Sequence, residues 1–263
     1  MTIYYFFKKI KKKLTKGIKS KGGRNFLGRV CVRGQGGGNK RIFRYIDFIR
    51  RVNASGKVIN IIYDPSRTAR LGLVIYLNSF CSYILLQKNV KIGSVIYSGS
   101  SILKGNLIES GYSLPLKYMP LFSNISNIEL KPFIGSTLCR AAGTSCILIG
   151  KTLDNKKGVL KLNSKWELHV SLNCISSFGA SSNKALNNLF IKKAGKNRAL
   201  GWKPKVRGVA KNPCDHPHGG GNGKKPKPKI PVNAWHTVFK WTHTKNTKKD
   251  NLKRRKFKKL NEN

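Results

Sequence analysis

The stretch from Arg207 to Gly223 reads Arg-Gly-Val-Ala-Lys-Asn-Pro-Cys-Asp-His-Pro-His-Gly-Gly-Gly-Asn-Gly, and no helix or strand is expected to survive there. Pro213 and Pro217 fix φ and remove amide donors, while Gly219, Gly220, Gly221 and Gly223 admit backbone angles closed to other residues. A loop so poor in side chains can press its amides against another surface, and phosphates or a sugar edge are the natural counterpart. Lys224, Lys225, Lys227 and Lys229 follow at once, spaced by Pro226, Pro228 and Pro231. The stretch is suited to close approach to a polyanion.

Charge supports that reading. The 263 residues hold 53 Lys and Arg against 9 Asp and Glu, a formal net charge of +44. A free globular protein so charged would repel itself, so neutralisation by phosphates is expected. The charge is uneven: residues 1–57 carry a net +16, residues 58–192 a net +10, and residues 193–263 a net +18. A moderately basic middle thus lies between two very basic ends. No run of 18 or more apolar residues spans a membrane; the most hydrophobic stretch, 71–86, is broken by Asn78, Ser79 and Ser82 and reads as two strands. The six cysteines show no CxxC spacing and read as reduced thiols.

Richness in Lys, Asn, Ile, Phe and Tyr with little Ala is the mark of AT-rich coding sequence, a hint of an organelle genome. The first ten residues put apolar side chains before basic ones, the reverse of a secretory signal, and lack the Arg and Ser of a transit peptide. A chain of this kind acting in an organelle is expected to be made there.

Residues 1–26 alternate Lys clusters with glycines and read as a flexible basic arm. Period-two alternation predicts strands at 29–33, 42–48, 58–63, 73–77, 82–86 and 94–98, with turns spaced as in a small closed barrel. Leu114-Pro115 and Met119-Pro120 mark a boundary. A second β-rich set follows at 126–130, 145–150, 159–162 and 167–170. Residues 184–193 suit a short helix, and after Ala194 no regular pattern is expected. Phe43 and Tyr45, beside Arg44, are expected to face a barrel core before they stack on bases.

Two motifs invite other chemistry. Gly34-Gln35-Gly36-Gly37-Gly38-Asn39-Lys40 has the look of a phosphate loop, but the helix and the Ser or Thr that a Walker loop requires are missing. Arg33, Lys40, Arg41 and Arg44 flank it, which favours contact with an RNA backbone. Cys214, Asp215, His216 and His218 offer metal ligands without a second separated pair. A metal-dependent hydrolase using Asp215, His216 and His218 is the enzymatic alternative, and a free RNA chaperone is another; acids are scarce and no nucleophile stands beside the histidines.

Several motifs fall in an order that resembles a known family. They are Lys21-Gly22-Gly23-Arg24-Asn25, Gly28-Arg29, Arg33, Gly36-Gly37-Gly38, Lys40-Arg41, Arg44 and Asp47-Phe48. Tyr63-Asp64-Pro65-Ser66-Arg67, Tyr83-Ile84-Leu85, Leu114-Pro115, Lys131-Pro132, Arg140-Ala141-Ala142-Gly143-Thr144 and Val206-Arg207-Gly208-Val209-Ala210 follow. Asn212-Pro213 and Asp215-His216-Pro217-His218-Gly219-Gly220-Gly221 complete the set. Together they resemble the L-two family of large-subunit ribosomal proteins, from about residue 20 to the C-terminus.

The resemblance implies an all-β chain, an OB-fold barrel followed by an SH3-like barrel, with basic ends threading into large-subunit rRNA. The implied division is a basic arm at 1–26, the OB-fold domain at 27–113, the SH3-like domain at 114–193 and an rRNA-binding tail at 194–263. RNA contacts are expected from Arg24, Arg29, Arg33, Gly36, Gly37, Gly38, Lys40, Arg41, Arg44, Arg67, Arg140, Arg207, Asn212, Asp215, His216, His218, Gly219, Gly220, Gly221, Lys224 and Lys225. The resemblance also implies support of subunit association, tRNA binding and the peptidyl transferase centre, with His216 near that centre and no catalytic residue in the protein. Partners are rRNA and neighbouring ribosomal proteins, with tRNA and the small subunit reached indirectly, and no homo-oligomer. No cofactor is expected, apart from structural Mg2+ shared with rRNA. The expected place is a mitochondrial ribosome, with a plastid or cytoplasmic one as the alternative. Three departures stand out: a short aromatic N-terminal arm, Gln35 and Asn39 where the family usually has basic residues or His, and a far C-terminus that matches only in charge.

A phosphate-borne affinity must be salt-dependent. The isolated protein is expected to bind rRNA with a slope of about −0.7 to −0.9 log units per phosphate contact, read from titrations across a several-fold change in salt. A flat slope would contradict the polyanion reading.

Overall fold

The computed structural model describes residues 12–101, 107–152, 156–221 and 230–238, and the backbone of Leu252–Lys253. Among these the chain is nearly all β. Its strands are β1 (Thr15–Ile18), β2 (Arg41–Arg44), β3 (Ala54–Ile62), β4 (Leu71–Tyr76), β5 (Cys81–Leu85), β6 (Val95–Ser98), β7 (Ser113–Pro115), β8 (Asn124–Ser126), β9 (Ile128–Glu129), β10 (Ser136–Leu138), β11 (Cys146–Lys151), β12 (Lys157–Lys161), β13 (Glu167–Ser171), β14 (Ile175–Phe178) and β15 (Leu252–Lys253). Contacts divide the chain into two compact units. One holds Met1–Ile18, Lys40–Phe190 and Lys249–Asn263; the other holds Lys19–Asn39 and Ile191–Lys248.

The larger unit contains every buried apolar side chain among the described residues. Eleven strands run in one continuous sheet, ordered β15-β13-β12-β11-β8-β14-β7-β6-β3-β4-β5. The apolar stretch 71–86 does form two strands, β4 and β5, paired antiparallel from Leu71↔Leu85 to Ile75↔Cys81. Asn78 and Ser79 make the turn, with Ser79 at φ 60°. β4 reads Leu-Gly-Leu-Val-Ile-Tyr and is buried at all but Ile75, because both of its faces are covered. Leu86 packs closely over Gly72: a Cβ there would stand 2.6 Å from Leu86 Cδ2, and the leucine side chain would have to shift. Val58, Val74, Tyr76, Ile84, Leu86, Val90 and Ile96 fill the first core. A second core gathers Leu114, Leu116, Met119, Ile125, Ile128, Leu148, Leu160, Leu168 and Val170. Each such side chain contributes about 1.5–3 kcal/mol of burial.

The two halves meet where β6 touches β7, in a single parallel pairing of Ser98 with Ser113. One side chain fills that joint. Arg50 is 4% exposed, at φ 49°, and its backbone N–H donates to Asp47 Oδ1 at 2.9 Å. Its guanidinium donates to Ser98 Oγ (2.7 and 3.0 Å), Gly111 O (3.0 Å), Ser177 Oγ (3.3 Å) and Tyr97 O (3.3 Å). These acceptors lie on β6, β14 and the 111 turn, so Arg50 ties both halves together.

Several expectations change. Residues 29–33 form no strand; they are an exposed loop, with only a Val30–Arg24 bridge, and their alternation has no core to face. By contacts, residues 19–39 gather with the C-terminal segment 191–248 in one compact unit. Phe43 and Tyr45 are exposed, touching each other edge to face at 5.4 Å, because β1 and β2 form a two-stranded ribbon of their own. The expected strand 126–130 breaks at Asn127, whose φ of 50° separates β8 from β9. The helix expected over 184–193 is a 3-10 turn, Lys184–Asn188, while Ala194–Ala199 is α-helical where no pattern was foreseen.

Replacing Arg50 by Ala leaves several buried acceptors without donors, at about 1–3 kcal/mol for each group orphaned. The Arg50→Ala protein is expected to lose about 2–4 kcal/mol in denaturant unfolding, and Arg50→Lys to recover little, since an ammonium has three donors against five.

Candidate nucleic-acid interface

The smaller unit is built in an unusual way. None of its described apolar side chains is buried; Phe26, Leu27, Val206, Ile230, Trp202 and Trp235 are all exposed. Backbone bonds organise it instead. Gly36 N donates to Gly201 O at 3.0 Å, Asn39 N to Ala199 O at 3.0 Å, and Lys203 N to Gly34 O at 2.8 Å, while Gln35 bridges Trp202. Upstream, Cys31 and Val32 N donate to Gly23 O at 2.9 and 3.0 Å. The backbone that the glycine loop 34–38 approaches closely is that of its own chain: a Cβ on Gly38 would lie 2.7 Å from Ala199 O. Gly37 faces open space and is exposed.

The loop at 207–221 folds on itself. Asn212 O accepts from Asp215 N (3.0 Å) and His216 N (3.3 Å), Gly219 N donates to His216 O (2.8 Å), and Gly220 N donates to Lys211 O (3.0 Å). Gly219 is buried, with the Asn212 carbonyl oxygen where a side chain would start. Gly220 has φ +79° and faces the Pro213 ring, whose Cγ would lie 2.6 Å from any Cβ. His216 stands over Gly208, and its Nδ1 accepts from His218 N at 3.0 Å. In the neutral ring the proton then sits on Nε2. Desolvation first, then the charges of His218, Arg33, Lys211 and His236, push His216 below its ordinary value. It is a neutral donor held by its own loop, which suits positioning rather than proton abstraction. His218 stands 5.0 Å away ring to ring and reaches Ile230 O with Nε2 at 3.1 Å.

Cations and aromatics line the same unit. Arg33 lies over the Trp235 ring at 5.4 Å and Lys205 over Trp202 at 5.7 Å. Arg24, Arg29, Arg207, Asn212 and Asp215 are exposed. Lys224 and Lys225 lie outside the described residues. Among the described residues no three His, Cys, Asp or Glu side chains gather at one point.

The remaining expected contacts are in the larger unit. Lys40 and Arg140 are exposed, while Arg41, Arg44 and Arg67 are half-buried. Arg44 and Arg67 have an internal partner: Asp64, 1% exposed, lies 3.4 Å from Arg44 Nη1 and 3.2 Å from Arg67 Nε. Arg67 and Arg140 both lie 5.2 Å from the Phe48 ring centre. Arg51, which sequence reasoning passed over, pairs with the fully buried Glu129 at 3.1 Å and covers Phe133 at 4.0 Å. Nothing in the pattern marked it out from the other basic residues. Trp202 and Trp235 were visible only as isolated aromatics in a basic tail.

Comparison with known proteins decides the family. Residues 11–98 match the model for Ribosomal Proteins L2, RNA binding N-terminal domain, and residues 109–236 match that for Ribosomal Proteins L2, C-terminal domain. The chain belongs to the ribosomal protein L2 family. Curated relatives named large ribosomal subunit protein uL2 include that of Sinorhizobium medicae, 41% identical over 90% of this chain and 84% of the relative. That of Brucella abortus is 42% identical with the same coverage. The two L2 matches meet at the Ser98–Ser113 joint, and the larger unit carries the OB-fold and SH3-like pair of this family. The first match also covers the 19–39 segment, and the second runs through His216 and His218.

Gly220→Val meets two obstacles, the left-handed backbone and the Pro213 ring. Cells carrying it as their L2 are expected to yield large subunits defective in function, read from growth and from particle profiles. Normal particles would mean that the loop is merely flexible.

Proposed function

We propose that this L2 chain is a structural constituent of the large ribosomal subunit, not an enzyme, and that it binds large-subunit rRNA. One observation carries the reading: a basic unit, with Asp215 as its one carboxylate, that is shaped by backbone bonds and keeps its described aromatics Phe26, Trp202 and Trp235 exposed. Such a unit lacks the burial needed to offset ordering entropy by itself. Phosphates supply the missing counter-charge, and bases or sugars can cover Trp202 and Trp235. The names of the bacterial relatives support the same assignment.

The RNA contacts fall into two groups in this reading. Arg24, Arg29, Arg33, Arg207, Asn212, Gly220 and Gly221 are exposed on the smaller unit, and Lys224 and Lys225 follow them in the sequence. Lys40, Arg41 and Arg140 act from the larger unit, while Arg44 and Arg67 present an edge to RNA only after satisfying Asp64. His216 supports the peptidyl transferase centre by shaping RNA, and the unit as a whole supports tRNA binding and subunit association. The finer location we assign is the mitochondrial ribosome, on the AT-rich composition. A free RNA chaperone is the competing reading, and it predicts no fixed residence in a particle.

The test separates these. Lysate from the source cells, fractionated by organelle and sedimented at moderate salt, is expected to place the chain in the mitochondrial large subunit; a pool free of particles would overturn the ribosomal reading. A truncation after Lys192 removes the partners of the 34–39 loop and is expected still to reach rRNA. Its particles should lose most puromycin reactivity or fail to join small subunits, whereas His216→Ala should assemble and lose less. Fully active truncated particles would refute a functional role for the C-terminal segment.

A further inference from the structure

Cys139 and Cys146 bring their sulfurs to 2.9 Å from one another at the margin of the second core. Cys139 follows β10 directly and Cys146 opens β11, so the ends of the intervening loop already lie side by side. The frame around them is pinned. Asn127 N and Ser181 Oγ donate to Cys139 O at 3.3 and 3.0 Å, and Ala142 N donates to Thr68 Oγ1 at 2.9 Å. Ser181 N donates to Thr144 O at 3.0 Å, and Cys146 pairs with Ile125 of β8. A disulfide needs about 2.0 Å between sulfurs, so closure asks for a shift of under about 1 Å.

We propose that Cys139 and Cys146 are an oxidant-dependent modification site, forming a reversible intramolecular disulfide that closes the 139–146 loop. The two thiols are unequal. Cys139 is half-buried, and the hydrogen bond from Cys146 holds it below its ordinary value despite burial. Cys146 is buried and pushed far up, by that hydrogen bond first and by burial next. Cys139 is therefore the attacking thiolate and Cys146 the resolving thiol.

Hydrogen peroxide is the class of oxidant that suits a half-buried thiol. The Cys139 thiolate attacks one peroxide oxygen, the O–O bond breaks, and the departing hydroxide takes a proton to become water. Cys139 is left as a sulfenic acid, oxidised by two electrons. The Cys146 sulfur then attacks the Cys139 sulfur, the S–O bond breaks, and hydroxide leaves with the Cys146 proton as a second water. Two thiols and one peroxide give one disulfide and two waters, and a thiol reductant reverses the step. The closed loop holds Arg140, whose guanidinium lies against Phe48. Cys174 offers an internal contrast: it is buried in the same core, and burial, with Glu129, pushes it up to about 12.

The test uses the full chain, freed of RNA in high salt and treated with stoichiometric peroxide. Trypsin cuts at Arg140, between the two cysteines, so the bridge is read as a linked pair of peptides two hydrogens lighter than their sum. That pair is expected, with two thiols lost to alkylation after unfolding and both restored by reductant. Cys146→Ala should accumulate sulfenic acid at Cys139, trapped by dimedone, while Cys174→Ala should keep the cross-link. Cys139 driven to sulfinic acid with Cys146 still alkylatable would overturn the proposal, as would Cys139 oxidising no faster than Cys174. If Cys146→Ala does not fold, the peptide map of the unmodified sequence decides alone.

Discussion

Arg50 carries a guanidinium placed among neutral groups: two serine hydroxyls and two carbonyls accept its hydrogen bonds, and the guanidinium itself donates to no carboxylate. A buried charge is tolerated only where hydrogen bonds replace its lost water, and these acceptors do so from both halves of the larger unit. The arrangement works in both directions. The sheet sections that supply Ser98 and Ser177 need a donor between them, and Arg50 needs both sections in place. Asp47 fixes the backbone that delivers it, and a positive φ turns the chain inward at that point. The sheet crosses from β6 to β7 through a single pairing, and Arg50 adds side-chain bonds to both halves at that point.

The scarce acids are spent in the same way. Asp64 and Glu129 are almost wholly enclosed; Asp64 gathers Arg44 and Arg67 with Ser66 N, and Glu129 gathers Arg51 with Gly135 N and Ile175 N. In a chain of net charge +44 these carboxylates relieve repulsion inside the barrels, where no phosphate reaches. The remaining positive charge is left outward. Local electrostatics thus sorts arginines into those that hold the protein together and those available to a polyanion, and Arg44 and Arg67 sit on the dividing line.

Much of this was legible in the residues. Alternation located β3 through β6 and β11 through β13 to within a few positions, because those strands bury one face or both against a core. It misled at 29–33, where the same alternation lies on a loop with no core beneath it. β14 escaped notice because Ile-Ser-Ser-Phe looks like a loop; its serines are buried and Ser177 serves Arg50, a long-range demand invisible locally. Pro115 marks a boundary in the sequence, and it lies in β7, the strand that joins the halves. The glycine runs suggest approach to a polyanion, whereas what stands against Gly38 and Gly219 in the structure is the chain's own backbone, at Ala199 and Asn212. The order of motifs identified the family, yet spacing alone held nothing that set Arg50 and Arg51 apart from other cations.

Synthesis runs from the N-terminus, and that gives the pairing of the 34–39 loop with Ala199–Lys203 a consequence in time. When Gly34 to Asn39 emerge, their hydrogen-bonding partners are some 160 residues from being made, as sequence separation alone dictates. The strands that carry both cores, by contrast, are all made once β14 has been translated, and only the edge strand β15 is still to come. The chain is thus able to begin docking through its barrels while its first glycine loop waits unmatched, and only the last quarter of translation closes that clasp. A copy terminated between β14 and Ala199 carries β1 to β14 but never seals the loop.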